Sequence, residues 1–458
     1  MNALVPLGSG AFWPVLAGQD VLDLQHVIIV RDAASQLPIA GGEWLVQPWL
    51  STILFAGAWS IGSITALSCL GIALGGLLAV QVWRIAVSRA RPGRAWAATA
   101  IALIVMMPLM LRTELVAALL CATLIVELMQ QRRWLVTAPL VMVAWSNMHG
   151  SFPIGIAICA AAAGGLMATA GVARARTRVK IVWLAACACA SVLSPLGWQT
   201  WKYVWRVTGA PELARLTPLW QPMQLFSIDG LLITAIIVLI ANALWRRPGG
   251  WMRCAPLLPI LVLAGACFDS RRYVTWCVLV ALPELARALD DVALPGRCTV
   301  RPGFARALLR VSWVGLLVVV LMLVPFGPLQ QRLAARSLPH GGLVDQVRVN
   351  DTMLASAEWA DYLRLRTGAR VVVDARLERF RSADLVRYER AISTGRCEQL
   401  CDGAATLAVL RVASADTLMQ RLDEAGCMVD EHGHGAARGA VYRLPCRTHT
   451  ARRPGAGT

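Results

Sequence analysis

The chain has 458 residues, of which 57% are hydrophobic and only 16% charged, and its mean hydropathy of +0.58 is too high for a water-soluble domain. Its 44 Lys and Arg against 27 Asp and Glu leave a net charge of +17, which would suit a surface that neutralises phosphates. The basic residues gather instead in alternate short segments between apolar runs, as in a polytopic membrane protein, and nucleic-acid binding is set aside on that ground.

In chain order, residues 1–60 read as an outer-face N-terminal segment and first outer loop. Asp20, Asp23, Asp32 and Glu43 against a lone Arg31 make it acidic, and no basic n-region of a signal peptide precedes it. The run Ala11-Phe12-Trp13-Pro14-Val15-Leu16 is too short to span and resembles the tail of a helix, so a further spanning helix is expected upstream, the alternative being an acidic N-tail that crosses without a leader.

Residues 61–330 read as an all-α multi-helix transmembrane domain. At about 20 apolar residues per span, spans fall near 61–83, 95–111, 113–129, 134–147, 152–172, 180–196, 227–245, 254–268, 273–287 and 309–327. With the helix expected upstream, that makes about 10–11. Basic clusters follow every second span: Arg84, Arg89, Arg91 and Arg94; Arg132 and Arg133; Arg174, Arg176, Arg178 and Lys180; Arg246, Arg247 and Arg253; and Arg287 to Arg310. Placing these in the cytoplasm puts the remaining turns outside. The outer set then holds the Arg112-Thr113-Glu114 turn, the stretch 197–230, Asp269 to Tyr273, and the segment Trp145-Ser146-Asn147-Met148-His149-Gly150-Ser151-Phe152-Pro153. Polar groups at membrane depth are costly, which makes Asn147 and His149 candidate cavity residues. Their structural alternative is to bond neighbouring carbonyls and hold two helices together.

Residues 337–447 read as a soluble α/β domain delivered to the outer face. Apolar runs shorten and strands (347–350, 369–374, 407–412, 440–444) alternate with helices (356–365, 382–394, 414–425), the pattern of a parallel, doubly wound sheet. Residues 448–458 read as a disordered tail. Cys121, Cys159, Cys187 and Cys189 sit in apolar helices as small packing residues. Cys397, Cys401, Cys427 and Cys446 form an even set that an oxidising compartment would pair, and His432 and His434 nearby leave zinc as the competing reading.

Several motifs occur in one order: Trp-x-Asn-x-His-Gly-x-Phe (Trp145 to Phe152), Pro195-Leu196-Gly197-Trp198, Trp220-Gln221-Pro222, the arginine-to-proline helix Arg272 to Pro283, then Trp359-Ala360-Asp361-Tyr362-Leu363 and Val373-Asp374-Ala375-Arg376. Together they resemble bacterial membrane proteins of the GT-C glycosyltransferase superfamily. The resemblance implies transfer of a sugar from a polyprenyl-phosphate donor to a glycan, lipid or protein acceptor at the outer face of the cytoplasmic membrane, with membrane lipid as a further partner. An acid in the first outer loop would be the general base or hold a divalent cation. Asp20 matches that position, with Asp23 in reserve. Recognition of the donor phosphate calls for fixed positive charge; Arg271 and Arg272 are the candidates, then Arg112, all of which could instead snorkel to headgroups. Trp198 and Trp220 could stack on sugar rings or belong to an interfacial belt. The sequence departs from the family pattern at Ser194-Pro195-Leu196-Gly197, where Asn-Pro-Tyr-Gly is expected, and at Leu219, where a glutamate is expected. A non-catalytic membrane scaffold or lipid-binding protein of the same architecture therefore stands as the alternative. A transporter would instead predict charge pairs near the bilayer midplane.

Overall fold

A computed structural model describes residues 12–29, 43–106, 112–130, 134–169, 174–209, 220–247, 256–291, 344–355, 357–376, 380, 383–386, 388, 407–410, 430–431 and 440–443. The chain divides into two compact units, 1–27 with 45–330, and 28–44 with 331–458.

The first unit is helical: α1 (Trp13–Leu24), α2 (Trp49–Val87), α3 (Pro92–Val105), α4 (Thr113–Gln130), α5 (Trp134–Met148), α6 (Phe152–Thr169), α7 (Arg174–Ala190), α8 (Gln199–Thr208), α9 (Ile228–Trp245), α10 (Leu257–Asp269) and α11 (Val274–Asp291). Among the described residues, α2, α4 and α9 are long and apolar enough to cross a membrane, and α3, α5, α6 and α10 are shorter apolar helices. Val136, Leu140, Ile181, Val182, Val238 and Leu258 are exposed, an apolar outer surface that suits lipid better than water.

Two readings of the sequence change. Residues 49–60, expected in a loop, form the first arm of α2. The helix is broken at Gly62 and Ser63, where Ser63 takes a left-handed φ of 49°. Tertiary contact fixes this arm: a Cβ on Gly18 of α1 would lie 2.1 Å from the Thr52 carbonyl oxygen and 2.8 Å from Ala56 Cβ, so the two helices cross with backbone touching backbone. The stretch after Gly197, also expected as loop, begins with α8. The span expected at 309–327 lies outside the described residues.

Helix α11 is the buried axis of this unit, with Trp276, Val278, Leu279, Ala281, Leu282 and Leu285 packed among α2, α3, α4, α9 and α10. It exceeds the charge that a simple span carries because its far end holds Glu284, Asp290 and Asp291. Arginines from other helix ends meet these carboxylates, Arg91 with Asp290 at 3.0 Å and Arg247 with Asp291 at 2.6 Å and Glu284 at 3.7 Å, while Arg287 of α11 itself pairs with Glu284 at 2.8 Å. Part of the basic clustering in the sequence is thus answered by acids on one helix.

After the two-residue strands β1 (Ile28–Ile29) and β2 (Trp44–Leu45), the second unit builds a sheet from β3 (Thr352–Ala355), β4 (Arg370–Val371), β5 (Leu407–Leu410), β6 (Asp430–Glu431) and β7 (Ala440–Arg443) in the order β4-β3-β5-β7-β6, with α12 (Ala357–Thr367) between β3 and β4 in sequence. The β3–β4 and β3–β5 pairs are parallel, but β5–β7 and β6–β7 are antiparallel. The sheet is mixed, not the doubly wound parallel one that strand–helix alternation predicts. The strand expected at 347–350 starts two residues beyond it. Trp359, Ala360 and Leu363 of α12 pack on Met353, Ala355 and Val371. Beside them Arg376, wholly buried, pairs with Asp374 at 2.6 Å and lies over the Trp44 ring at 5.2 Å. The helix expected at 414–425, the tail 448–458 and Cys397, Cys401, Cys427 and Cys446 lie outside the described residues.

Candidate functional site

The turn between α5 and α6 is the centre of a polar knot. Asn147, the last residue but one of α5, is 5% exposed and uses its whole amide group. Its Nδ2 donates to the Val143 and Leu193 carbonyls, both at 2.8 Å, and its Oδ1 accepts Trp49 Nε1–H at 2.7 Å. Gln47 Nε2 donates to the Ser146 carbonyl and Ser51 Oγ to that of Met148, each at 2.7 Å. The unpaired carbonyls that end every helix are here answered by the start of α2, which is why that arm sits where it does. An open, mostly apolar groove of about 570 Å³ lies alongside, lined by Trp49, Leu50, Val143, Asn147, Leu193 and Pro195 among others.

His149 follows immediately. Its Nδ1 receives the Ser151 backbone N–H at 3.1 Å and lies 2.8 Å from Ser151 Oγ, which in turn accepts Trp145 Nε1–H at 3.0 Å. Trp145 is wholly buried and rests 5.8 Å from Trp276 of α11; the His149 ring is 6.3 Å from the same indole. Gly155, one turn into α6, makes room for this: a Cβ there would stand 2.9 Å from the Trp145 ring and 2.7 Å from Met142 Sδ. The turn lies between the helices rather than within one. Burial pushes the imidazole below its ordinary value; Glu114 pulls it back up and Arg272 pushes it further down. Glu114 lies in the first turn of α4 and Arg272 in the short helical turn joining α10 to α11, and these are the charges that act on His149.

The adjacent arginines diverge. Arg271 is committed to the fold: its side chain pairs with Asp229 of α9 and its N–H donates to the Gln221 carbonyl at 3.0 Å. Arg272 lies flat on Trp220 at 3.9 Å and donates to Tyr273 Oη at 3.1 Å, leaving most of its donors unused by protein among the described residues. Of these two neighbours, Arg272 is the one the geometry leaves available. Arg112 precedes α4, with its Nε buried and without a hydrogen-bond partner among the described residues. Trp220 is a platform for Arg272, whereas Trp198 is 62% exposed and stacks on Trp201 at 6.5 Å. Asp20 and Asp23 lie on α1 rather than beyond it, the first half-buried and the second exposed. Cys121, Cys159 and Cys187 are buried as expected of packing residues, but Cys189 is exposed.

Four contributors were not singled out from the sequence. Glu114 carried a signal, as an acid opening a helix between two apolar runs. Ser151, Trp49 and Trp276 carried none beyond their types, and only the tertiary contacts reveal them.

The architecture is that of a helical bundle whose long apolar helices suit a membrane domain. No protein-family model matches the sequence, and no curated protein matches it. A solved structure, the single-particle cryo-EM structure of the arabinofuranosyltransferase AftD from mycobacteria, aligns over 96% of this chain with a TM-score of 0.51 and 15% sequence identity. The chain spans 40% of that protein's length. At this identity the likeness is one of fold.

Proposed function

We propose that the chain is a membrane glycosyltransferase that takes a sugar from a polyprenyl-phosphate donor and passes it to an envelope glycan, lipid or protein at the outer face of the cytoplasmic membrane. The observation that carries the reading is Arg272, held on Trp220 with most of its guanidinium donors unused among the described residues and close enough to His149 to act on its charge. A guanidinium pre-oriented in this way suits a phosphate oxygen better than a mobile lysine would. In the transfer, the acceptor hydroxyl gives its proton to a carboxylate as its oxygen bonds the anomeric carbon. The carbon–oxygen bond to phosphate breaks, and the electron pair leaves with the phosphate, stabilised by Arg272. Asp20 is the proposed base and Asp23 its reserve. The divalent cation implied by the resemblance would fall to the same two residues. Among the described residues no group of three or more His, Cys, Asp or Glu gathers, and no step of the proposed transfer runs through a metal.

The test is native mass spectrometry of the detergent-purified full chain with polyprenyl-phosphate sugars. An adduct present in the wild type and lost in Arg272→Ala, but kept in Trp198→Ala, supports the reading. Absence of any adduct from folded wild-type protein overturns it. A second reading, a non-catalytic lipid-binding scaffold, is favoured by the open apolar groove beside Asn147, whose polar atoms are all occupied. It requires lipid retention without sugar release.

A further inference from the structure

The His149 contacts determine more than position. A backbone N–H can only donate, so Ser151 N at 3.1 Å requires a lone pair on His149 Nδ1. An indole N–H can also only donate, so Ser151 Oγ must accept from Trp145 and has its own proton to give, and Nδ1 at 2.8 Å is the acceptor in reach. Both constraints place the imidazole proton on Nε2. Protonating Nδ1 would set two N–H groups against each other at the Ser151 amide. No described protein group takes Nε2, on the opposite side of the ring. The charged groups facing the ring are Glu114 from α4 and Arg272 from the α10–α11 link, and the helix behind it, α11, presents uncharged Trp276.

We infer that Ser151 and Trp145 are positioning residues that hold His149 as the neutral Nε2–H tautomer, so that this nitrogen donates a hydrogen bond to an anionic phosphate oxygen shared with Arg272. The inference rests on the proposed transferase reading for its ligand, but its tautomer half stands on the turn alone. A neutral donor has a particular value here. It adds a directional hydrogen bond without a second full charge, so the departing phosphate is stabilised while the lipid can still dissociate. A cationic histidine beside Arg272 would bind the product phosphate more strongly than the substrate diester.

Histidine-selective nitrogen NMR of the full chain tests this, with the His149 signal assigned by its loss in His149→Asn. The wild type is expected to carry its proton on Nε2 and to stay neutral at pH values below the ordinary histidine range of about 6.5. In Ser151→Ala the titration should move up toward that range, and retention of a polyprenyl-phosphate sugar should fall about tenfold, as for the weakening of one hydrogen bond to a charged group. That retention should also become pH-dependent across the same range. Ser151→Thr, which keeps the hydroxyl, should restore the wild-type titration; a purely structural role would change thermal stability and leave the titration unmoved. A proton on Nδ1 in the wild type, or an unchanged titration in Ser151→Ala, overturns the inference even if the lipid still binds. The expected tautomer with no adduct from any donor overturns the phosphate half together with the transferase reading.

Discussion

Replacing Asn147 with alanine separates a keystone from a sugar ligand. The side chain ties α5 to Trp49 of α2 and to the Leu193 carbonyl beyond α7, while its bond to Val143 stays within its own helix. Two tertiary bonds are therefore lost, each contributing about 0.6–1.5 kcal/mol between packed membrane helices. The expected destabilisation is about 1–3 kcal/mol. It is measured as the thermal unfolding of purified protein followed by tryptophan fluorescence. Trp49→Phe removes the same bond from its other end, so the pair forms a double-mutant cycle whose coupling should reach about 0.6–1.5 kcal/mol. Additive effects within about 0.3 kcal/mol would refute the argument that this bond anchors the start of α2. Loss of donor binding with unchanged stability would refute it equally, by returning Asn147 to the ligand.

Gly155→Ala drives a methyl group into the Trp145 ring and Met142, so it is expected to cost about 1–3 kcal/mol in the same unfolding assay. Arg247→Ala takes a close partner from Asp291 and a second one from the mostly buried Glu284, which keeps Arg287; a loss of about 1–2 kcal/mol is expected, between the exposed and buried limits, and should shrink in high salt if the exposed Asp291 pair dominates. In the second unit, burial and then the Asp374 charge hold the Asp361 carboxyl well above the usual carboxylate range, against the pull of Arg376 and Arg364. A raised acid contributes stability that is fully present below its ordinary value of about 3.9 and is lost as pH rises toward its folded value. Asp361→Asn should flatten that decline and be more stable than wild type at neutral pH, checked by unfolding at a series of pH values; a slope identical to wild type would contradict the assignment.

Helices with clean apolar runs were legible in the sequence to within a few residues: 113–129 became Thr113–Gln130, and 227–245 became Ile228–Trp245. The polar turn between α5 and α6 was legible because its residues have no reason to be where lipid is expected. The first arm of α2 was not, since Pro48, Ser51, Thr52 and Gly57 break the apolar signal and its helix is fixed by α1 and Asn147 instead. Helix α8 escaped for a related reason, with Lys202 and Arg206 among its tryptophans. Nor could the sequence divide Arg271 from Arg272: neighbouring residues on one tight turn face different partners, and only Asp229 decides which is spent. Strand alternation marks where β-structure lies but not its direction, so the mixed sheet was read as parallel.

The break at Gly62 and Ser63 has a mechanical consequence. As one rod, the 39 residues of α2 would measure about 58 Å at 1.5 Å per residue, roughly twice the 30 Å hydrocarbon core of a bilayer. Split there, the helix divides its tasks, and only the second arm has to match the membrane. A thicker or thinner bilayer can tilt that lower arm while Trp49, Ser51 and Thr52 keep their grip on α1 and on the α5–α6 turn. With the rod broken there, the geometry around Asn147 and His149 is set by α1 and the first arm, and the length of the second arm alone is left to answer to the lipid.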